Sequence, residues 1–435
     1  MQYLPNIIFL LILVAGVGYF TYNIKKVIRN IKLGLPVSVS DKAERWANVG
    51  RIAIGQSKMV VRPVSGALHI VVYLGFVIMN IEMLEIIIDG LFGTHRIFSS
   101  YLGGLYGVLI GTFEILAVLV FVSVIVFWIR RNIVKIKRFM SKEMTGWPKN
   151  DGNTILYFEM VLMGLFLTMN ATDVHFQEMN NGNVISQYIA GWFSGVEVGT
   201  LHIIERAAWW IHITGILIFL NYLYFSKHLH IMLAFPNVFF GRVTPKGQFK
   251  NNEAVTKEVK MMMDPNVDPF AAPPAGEEQA VPAKFGASDV MDLSQVQLLN
   301  AYTCTECGRC TSDCPANITG KKLSPRKIMM DTRDRLEEVG KNIDANKGVF
   351  VPDNKQLLGD YISEEELWAC TSCNACVEAC PVSIDPLSII MEMRQYLVME
   401  KSAAPNELNV TMTNIENNGA PWPFNQQDRL NWSQE

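Results

Sequence analysis

The sequence predicts an all-α protein: a five-span transmembrane helical bundle followed by a mainly helical, cysteine-rich soluble domain. Three observations predict it. Half of the 435 residues are hydrophobic and only 18% are charged, against the ~25% usual in soluble domains. The long apolar runs all lie in residues 1–240, whereas 241–435 read as ordinary soluble sequence. The eight cysteines all lie in the second part and the seven histidines all in the first. A net charge of −3 offers no basic excess to phosphates, which excludes a nucleic-acid partner, and the apolar content excludes a disordered chain.

Five stretches, near 5–24, 64–88, 101–129, 154–172 and 207–226, reach the roughly 20 residues needed to cross a hydrocarbon core. The first is an anchor rather than a cleaved signal: Met1 to Asn6 carry no Lys or Arg, while Lys25, Lys26, Arg29 and Lys32 follow the apolar run. The connections 25–63 and 130–153 hold nine and seven basic residues, whereas 89–100 and 173–206 hold Arg96 and Arg206 alone. That asymmetry places the N-terminus outside and the second half of the chain in the cytoplasm.

The spans carry ionisable residues that a plain anchor does not need: His69, Glu82 and Glu85, then Glu114, Glu159 and His212. Such groups cost several kcal/mol in a bilayer and face the bundle interior, so the four glutamates are candidates for a proton relay or for interhelical hydrogen bonds. On a continuous helix His212 and His230, 18 residues apart, share one face at five turns' separation, about 27 Å of rise, and His228 points to the far side. Two imidazoles on one face, near opposite ends of a span, suit two stacked b-type haems. The expected inner haem is held by His69 and His230, with His228 as substitute. A second, outer haem would use His212 with Met79 or Met83, or with His95, His175 or His202 folding back from the outer segments.

Residues 241–288 read as a linker, rich in Pro, Ala and acid over 262–288. Globular sequence resumes at 289–401. There Cys304-x-x-Cys307-x-x-Cys310-x-x-x-Cys314-Pro315 is repeated as Cys370-x-x-Cys373-x-x-Cys376-x-x-x-Cys380-Pro381. This is the spacing of two [4Fe–4S] clusters in which the fourth cysteine of each run ligates the other cluster. It assigns Cys304, Cys307, Cys310 and Cys380 to one cluster, and Cys370, Cys373, Cys376 and Cys314 to the second. Zinc needs no trailing Cys-Pro, and a cytoplasmic domain disfavours disulfides. Residues 324–336 align without gaps on 385–397, each opening with an N-cap and Pro, and Ser363 to Glu366 is a capping box. The domain is therefore a helical di-[4Fe–4S] ferredoxin-type unit, with 402–435 as a tail. No nucleotide fingerprint, Walker loop or nucleophile elbow occurs.

On the His212–His230 spacing, the bundle resembles the cytochrome b (gamma) subunit of respiratory nitrate reductase, with Met79 where that family has a second span-two ligand. On its cysteines, the soluble half resembles the heterodisulfide reductase C subunit and is similar to the iron–sulfur subunits of succinate dehydrogenase-type and glycerol-3-phosphate dehydrogenase-type complexes. On Ser226–His230, Pro236–Phe240 and the tail Asn417–Trp432, the whole resembles membrane-bound electron-transfer-flavoprotein:menaquinone oxidoreductases and sulfite-reductase-associated membrane complexes. The resemblance implies an electron-transfer subunit in the inner (cytoplasmic) membrane of a bacterium, linking a cytoplasmic donor such as electron-transfer flavoprotein to the quinone pool. In longer relatives the tail leads into a cysteine-rich domain of the heterodisulfide reductase B type; because the chain stops at Glu435, that unit is expected as a separate subunit docking on the tail. The alternatives are a redox sensor or anchor without quinone turnover, and quinol-driven reduction of a cytoplasmic disulfide.

Overall fold

The computed structural model describes residues 3–245, 247–249, 251–266 and 284–434. Among them there is no β-strand, only isolated bridges at Leu35–Ser294 and Leu358–Ile362. Five helices are long and apolar enough to cross a membrane: α1 (Leu4–Ile31), α2 (Pro63–Phe92), α3 (Gly104–Asn132), α4 (Trp147–Thr172) and α5 (Val198–Tyr222). Helix α1 packs on α2 and α5, α3 on α2 and α4, and α4 on α5. Proline in the first turn of α1, α2 and α4 costs no hydrogen bond there.

Helix α5 starts well before the expected residue 207. Apolar periodicity marks the hydrocarbon slab, whereas backbone hydrogen bonding runs on into polar sequence, beginning where Leu201 N–H donates to Glu197 O. Glu205 and Arg206, which interrupt the hydropathy, pair with each other on the helix, and His202 is helical rather than part of a loop.

A larger correction concerns the other end of this span. The helix does not continue to His230: it tightens to a 3₁₀ turn at Leu223–Phe225, breaks at Ser226, which is extended (φ −103°, ψ 149°), and restarts through Lys227–Leu229 into α6 (His230–Phe240). The buried Asp151 of α4 makes the break. Its carboxylate accepts from Tyr222 Oη (2.7 Å), Ser226 Oγ (2.6 Å) and Lys227 N (3.1 Å), while Ser226 Oγ in turn accepts from His228 N. The five-turn register between His212 and His230 is therefore lost.

Within 241–288 a helix, α7 (Glu253–Met263), occupies part of the expected linker; residues 267–283 of that linker lie outside the described residues. Packing resumes before Asp289, since Ala287 is buried and its N–H donates to Glu392 O. The soluble unit is built on α8 (Gln295–Thr303), α9 (Pro325–Ala345) and α10 (Pro386–Met399), with α11 (Asn406–Asn418) in the tail. Ser324 and Asp385 cap α9 and α10 as their sequences require, and the Ser363–Glu366 capping box starts the short helix Glu364–Trp368.

Many basic residues of the connections hold this unit against the bundle. Arg29 donates to Gly340 O and pairs with Asp344, Arg62 pairs with Asp313 (2.9 Å), and Asn30 donates to Tyr302 Oη (2.9 Å). The fully buried Arg326 of α9 reaches Arg138 O and Glu143 (both 2.6 Å) in the α3–α4 connection. Arg335, also fully buried, is clasped by Asp289 (2.8 Å) and Asp353 (2.6 Å) and donates to Lys355 O. Removing one partner of such a pair leaves buried charge uncompensated, at about 3–5 kcal/mol. Arg335→Leu is accordingly expected to lower the thermal midpoint for loss of iron from the purified protein by several degrees; an unchanged midpoint would refute this.

Candidate metal centres and the cavity between them

The two cysteine loops fold alike because their special backbone positions recur. Glu306 and Gly308 in the first loop, and Ser372 and Asn374 at the equivalent places in the second, all have φ between +55° and +71°. Left-handed residues curl a loop so that N–H groups turn inward toward sulfur, as Ser372 N does to Cys370 Sγ (3.4 Å). At Gly308 the space for a side chain is taken by the Arg326 guanidinium, 2.5 Å from where a Cβ would lie.

The fold places each fourth cysteine beside the other motif. Cys380 lies within the electrostatic reach of Cys307 and Cys310, and a small hollow is lined by Cys304, Cys307, Cys310 and Cys380 together with Cys376. Cys314 lies instead beside Cys370 and Cys376, which also neighbour Cys373. Burial pushes the Cys304 thiol up to about 12 and Cys380 to about 11, so these sulfurs become thiolates only with a cation to bind. Iron supplies it, and the donor set fits two Cys₄ clusters. Among the described residues no three His, Cys, Asp or Glu converge on a point that suits a single ion; cubane thiolates, each on a different iron, need not.

Two arginines with no role assigned from the motifs serve these loops. Arg333 pairs with Glu306 (2.9 Å), inside the first loop. Arg394, its partner in the duplicated helix, donates to Leu367 O (2.6 Å) and Cys370 O (2.5 Å) at the second. The gapless alignment of the two helices held the signal, an Arg at the same register of each.

Between the first loop and the bundle lies a cavity of about 380 Å³. Its walls are apolar (Val72, Phe76, Val124, Phe127, Ile155, Leu156), and His69, His228 and His230 all line it, as do Thr305 and Cys307. His228 thus shares the cavity with His230, the ring centroids 5.4 Å apart, rather than pointing away; the break at Ser226 removes the helical register that separated them. His230 Nδ1 lies 3.1 Å from Lys227 O, so the proton sits on Nδ1 and Nε2 is left bare. His228 makes no ring hydrogen bond among the described residues.

Arg130, Arg131, Arg138 and Arg309 also line the cavity, and Arg131 Nε, Arg138 Nε and His69 Nδ1 are buried without a hydrogen-bond partner among the described residues. Apolar walls, imidazoles and the unpaired Nε groups of Arg131 and Arg138 fit a b-type haem with its two carboxylates. Glu159 lines the same cavity and makes no hydrogen bond among the described residues.

At the opposite end of the bundle the predicted residues are mostly engaged. Glu114 accepts from Asn170 Nδ2 (3.0 Å), Ile185 N (2.7 Å) and Ser186 N (3.0 Å), which makes it a structural cap. Glu85 accepts from Phe98 N (2.8 Å) and Tyr106 Oη (3.0 Å), whereas buried Glu82 leaves Oε2 unpaired. His95 pairs with Asp173 (3.1 Å) and sits 6.0 Å from the His175 ring. His212 is buried with Nδ1 on Leu162 O (3.1 Å), and Met79 and Met83 pack on the core of Phe113, Phe166 and Ile213.

These features define a class: a helical, membrane-type chain carrying a 4Fe–4S dicluster domain, and residues 303–384 match the family model of that description. Curated relatives are oxidoreductases. The chain is 30% identical to the probable iron-sulfur-binding oxidoreductase FadF of Bacillus subtilis, over 99% of this chain and 61% of that protein. It is 24% identical to the EtfAB:quinone oxidoreductase of Syntrophomonas wolfei, over 88% and 53%. To a CoB-CoM heterodisulfide reductase C subunit of Methanosarcina acetivorans it is 29% identical, over 30% of this chain and 66% of that protein. The chain thus spans about half to three fifths of the length of the first two relatives. No solved structure matches it.

Proposed function

We propose that this chain is a membrane-bound electron-transfer subunit that passes electrons between a cytoplasmic donor and the quinone pool through two [4Fe–4S] clusters and haem b. The observation that carries the reading is the single cavity that His69 and His230 share with Cys307 of the first cluster loop. The clusters and the haem, when bound, supply one-electron carriers. The chain's own residues do the rest. Cys304, Cys307, Cys310 and Cys380 hold one cluster, and Cys370, Cys373, Cys376 and Cys314 the other. His69 and His230 would ligate the haem, with Lys227 O orienting His230, and Arg131 and Arg138 would meet its carboxylates. The cytochrome b-like reading of the bundle is supported by this placement, and His212 with Met79 stands as the candidate pair for a second haem. The excess of basic residues at the cluster end supports an inner-membrane protein with its N-terminus outside and its cluster domain in the cytoplasm.

The relatives named for EtfAB:quinone oxidoreductase and heterodisulfide reductase support quinone as substrate, electron-transfer flavoprotein as a donor, and a cysteine-rich heterodisulfide reductase B-like subunit as partner. The tail beyond residue 402, which exposes Val410, Ile415, Trp422, Phe424 and Trp432, is the docking segment. Glu159, free in the cavity, is the proton-handling carboxylate; Glu159→Gln should slow quinone reduction about tenfold or more with cofactors intact, and an unaffected rate removes it from that role. The test of the whole reading is an anaerobic optical and EPR titration with iron and sulfide counted. Haem b with two [4Fe–4S] signals is the expected result; clusters without a Soret band would overturn it.

A further inference from the structure

One residue links the two candidate centres through its hydrogen bonds. Lys227 sits at the break below α5, and its carbonyl accepts from His230 Nδ1 at 3.1 Å. Its N–H donates to Asp151 (3.1 Å), so the segment is held by a buried carboxylate of α4. Its side chain, only 9% exposed, turns the other way and pairs with Glu306, donating also to Pro148 O at 2.6 Å. Glu306 is itself buried, lies next in sequence to Cys307 and is gripped from its other side by Arg333. An unbroken chain of covalent and hydrogen bonds therefore runs from the His230 imidazole through Lys227 and Glu306 to Cys307.

We infer that Lys227 is a positioning residue that couples the haem to the first cluster, fixing the orientation of His230 and setting the reduction potentials of both centres with its charge. The inference rests on the haem reading above. A positive charge in a weakly screened interior favours the reduced form of any centre nearby, because reduction adds an electron. Glu306 opposes it at the cluster. The pair is held in place by Asp151, Pro148 and Arg333, all outside the two centres, so the charges cannot swing away when one centre changes state.

The sign of the effects makes the idea testable in the full-length protein. In optical and EPR redox titrations, Lys227→Met should lower the midpoint potentials of both the haem and the first cluster, and Glu306→Gln should raise that of the cluster. Lys227→Arg should restore the wild-type values. A merely structural ion pair predicts that both variants lose cofactor together, with the remaining centres titrating as in wild type; that result, or shifts of the same sign in both variants, overturns the coupling. If Lys227→Met does not assemble, Glu306→Gln alone decides by the direction of the cluster shift. A wild-type protein with both clusters and no Soret band brings down the haem reading and this inference with it, whereas normal haem with unmoved potentials sinks the inference only.

Discussion

Replacing His230 with alanine should remove haem b from the purified protein, as should replacing His69, whereas His228→Ala should keep most of it. All three imidazoles line one cavity, so proximity does not separate them. Orientation does. Between the neighbouring His228 and His230, the ligand is the one whose second nitrogen is held by an acceptor, which fixes the tautomer. His230 has that acceptor in Lys227 O, and His228 has none among the described residues. Loss of an axial ligand costs the iron–nitrogen bond outright, so the expected effect is near-complete loss of the Soret band per mole of protein. The non-haem iron and acid-labile sulfide counts should stay at the wild-type level, because no cysteine is disturbed. Full haem in His230→Ala together with loss in His228→Ala would reverse the assignment.

The second large effect tests the exchange of cysteines. Cys380→Ser should abolish the signal of the cluster held by the first motif, although Cys380 belongs to the second, and Cys314→Ser should abolish the other. In the fold Cys380 neighbours Cys307 and Cys310, and Cys314 neighbours Cys370 and Cys376. A decisive readout pairs each variant with Cys307→Ser or Cys373→Ser: variants that strip the same cluster should leave the same residual EPR spectrum. If Cys380→Ser matches Cys373→Ser instead, the cysteines ligate within their own motifs. Both variants should also destabilise the soluble unit, because Cys314 and Cys380 are buried in the core that joins α8, α9 and α10.

What was legible in the chain was local. Cysteine spacing, Pro after a capping side chain, and runs of apolar residues each act over a few residues, and the helices they predict are present. The basic connections were legible as composition only. The basic residues that signal topology turn out also to bind the soluble unit, as Arg29, Arg62 and the carbonyl of Arg138 do. Nothing in a count of Lys and Arg distinguishes an orienting charge from a docking one, since the acids that meet them lie hundreds of residues away.

The misplacement of His228 has a similar origin. Helical register is reliable while the backbone hydrogen-bond ladder runs unbroken, and Ser226 was the available sign that it might stop, since Ser competes for backbone groups. Whether it does stop depends on Asp151, 75 residues earlier, which is buried where it can accept from Ser226 and Lys227. The four glutamates were likewise alike in sequence, and their surroundings alone separate the satisfied cap Glu114 from the unpartnered Glu159 and Glu82.

By itself, then, the sequence determined five apolar helices, a helical unit with two four-cysteine runs, and the caps that begin its helices. These follow from forces that act between near neighbours along the chain. Only the tertiary structure decided which histidine is oriented and which carboxylate is free. Each of these depends on a hydrogen bond or charge delivered from a distant segment, and a buried polar group takes its role from whatever partner the fold brings to it.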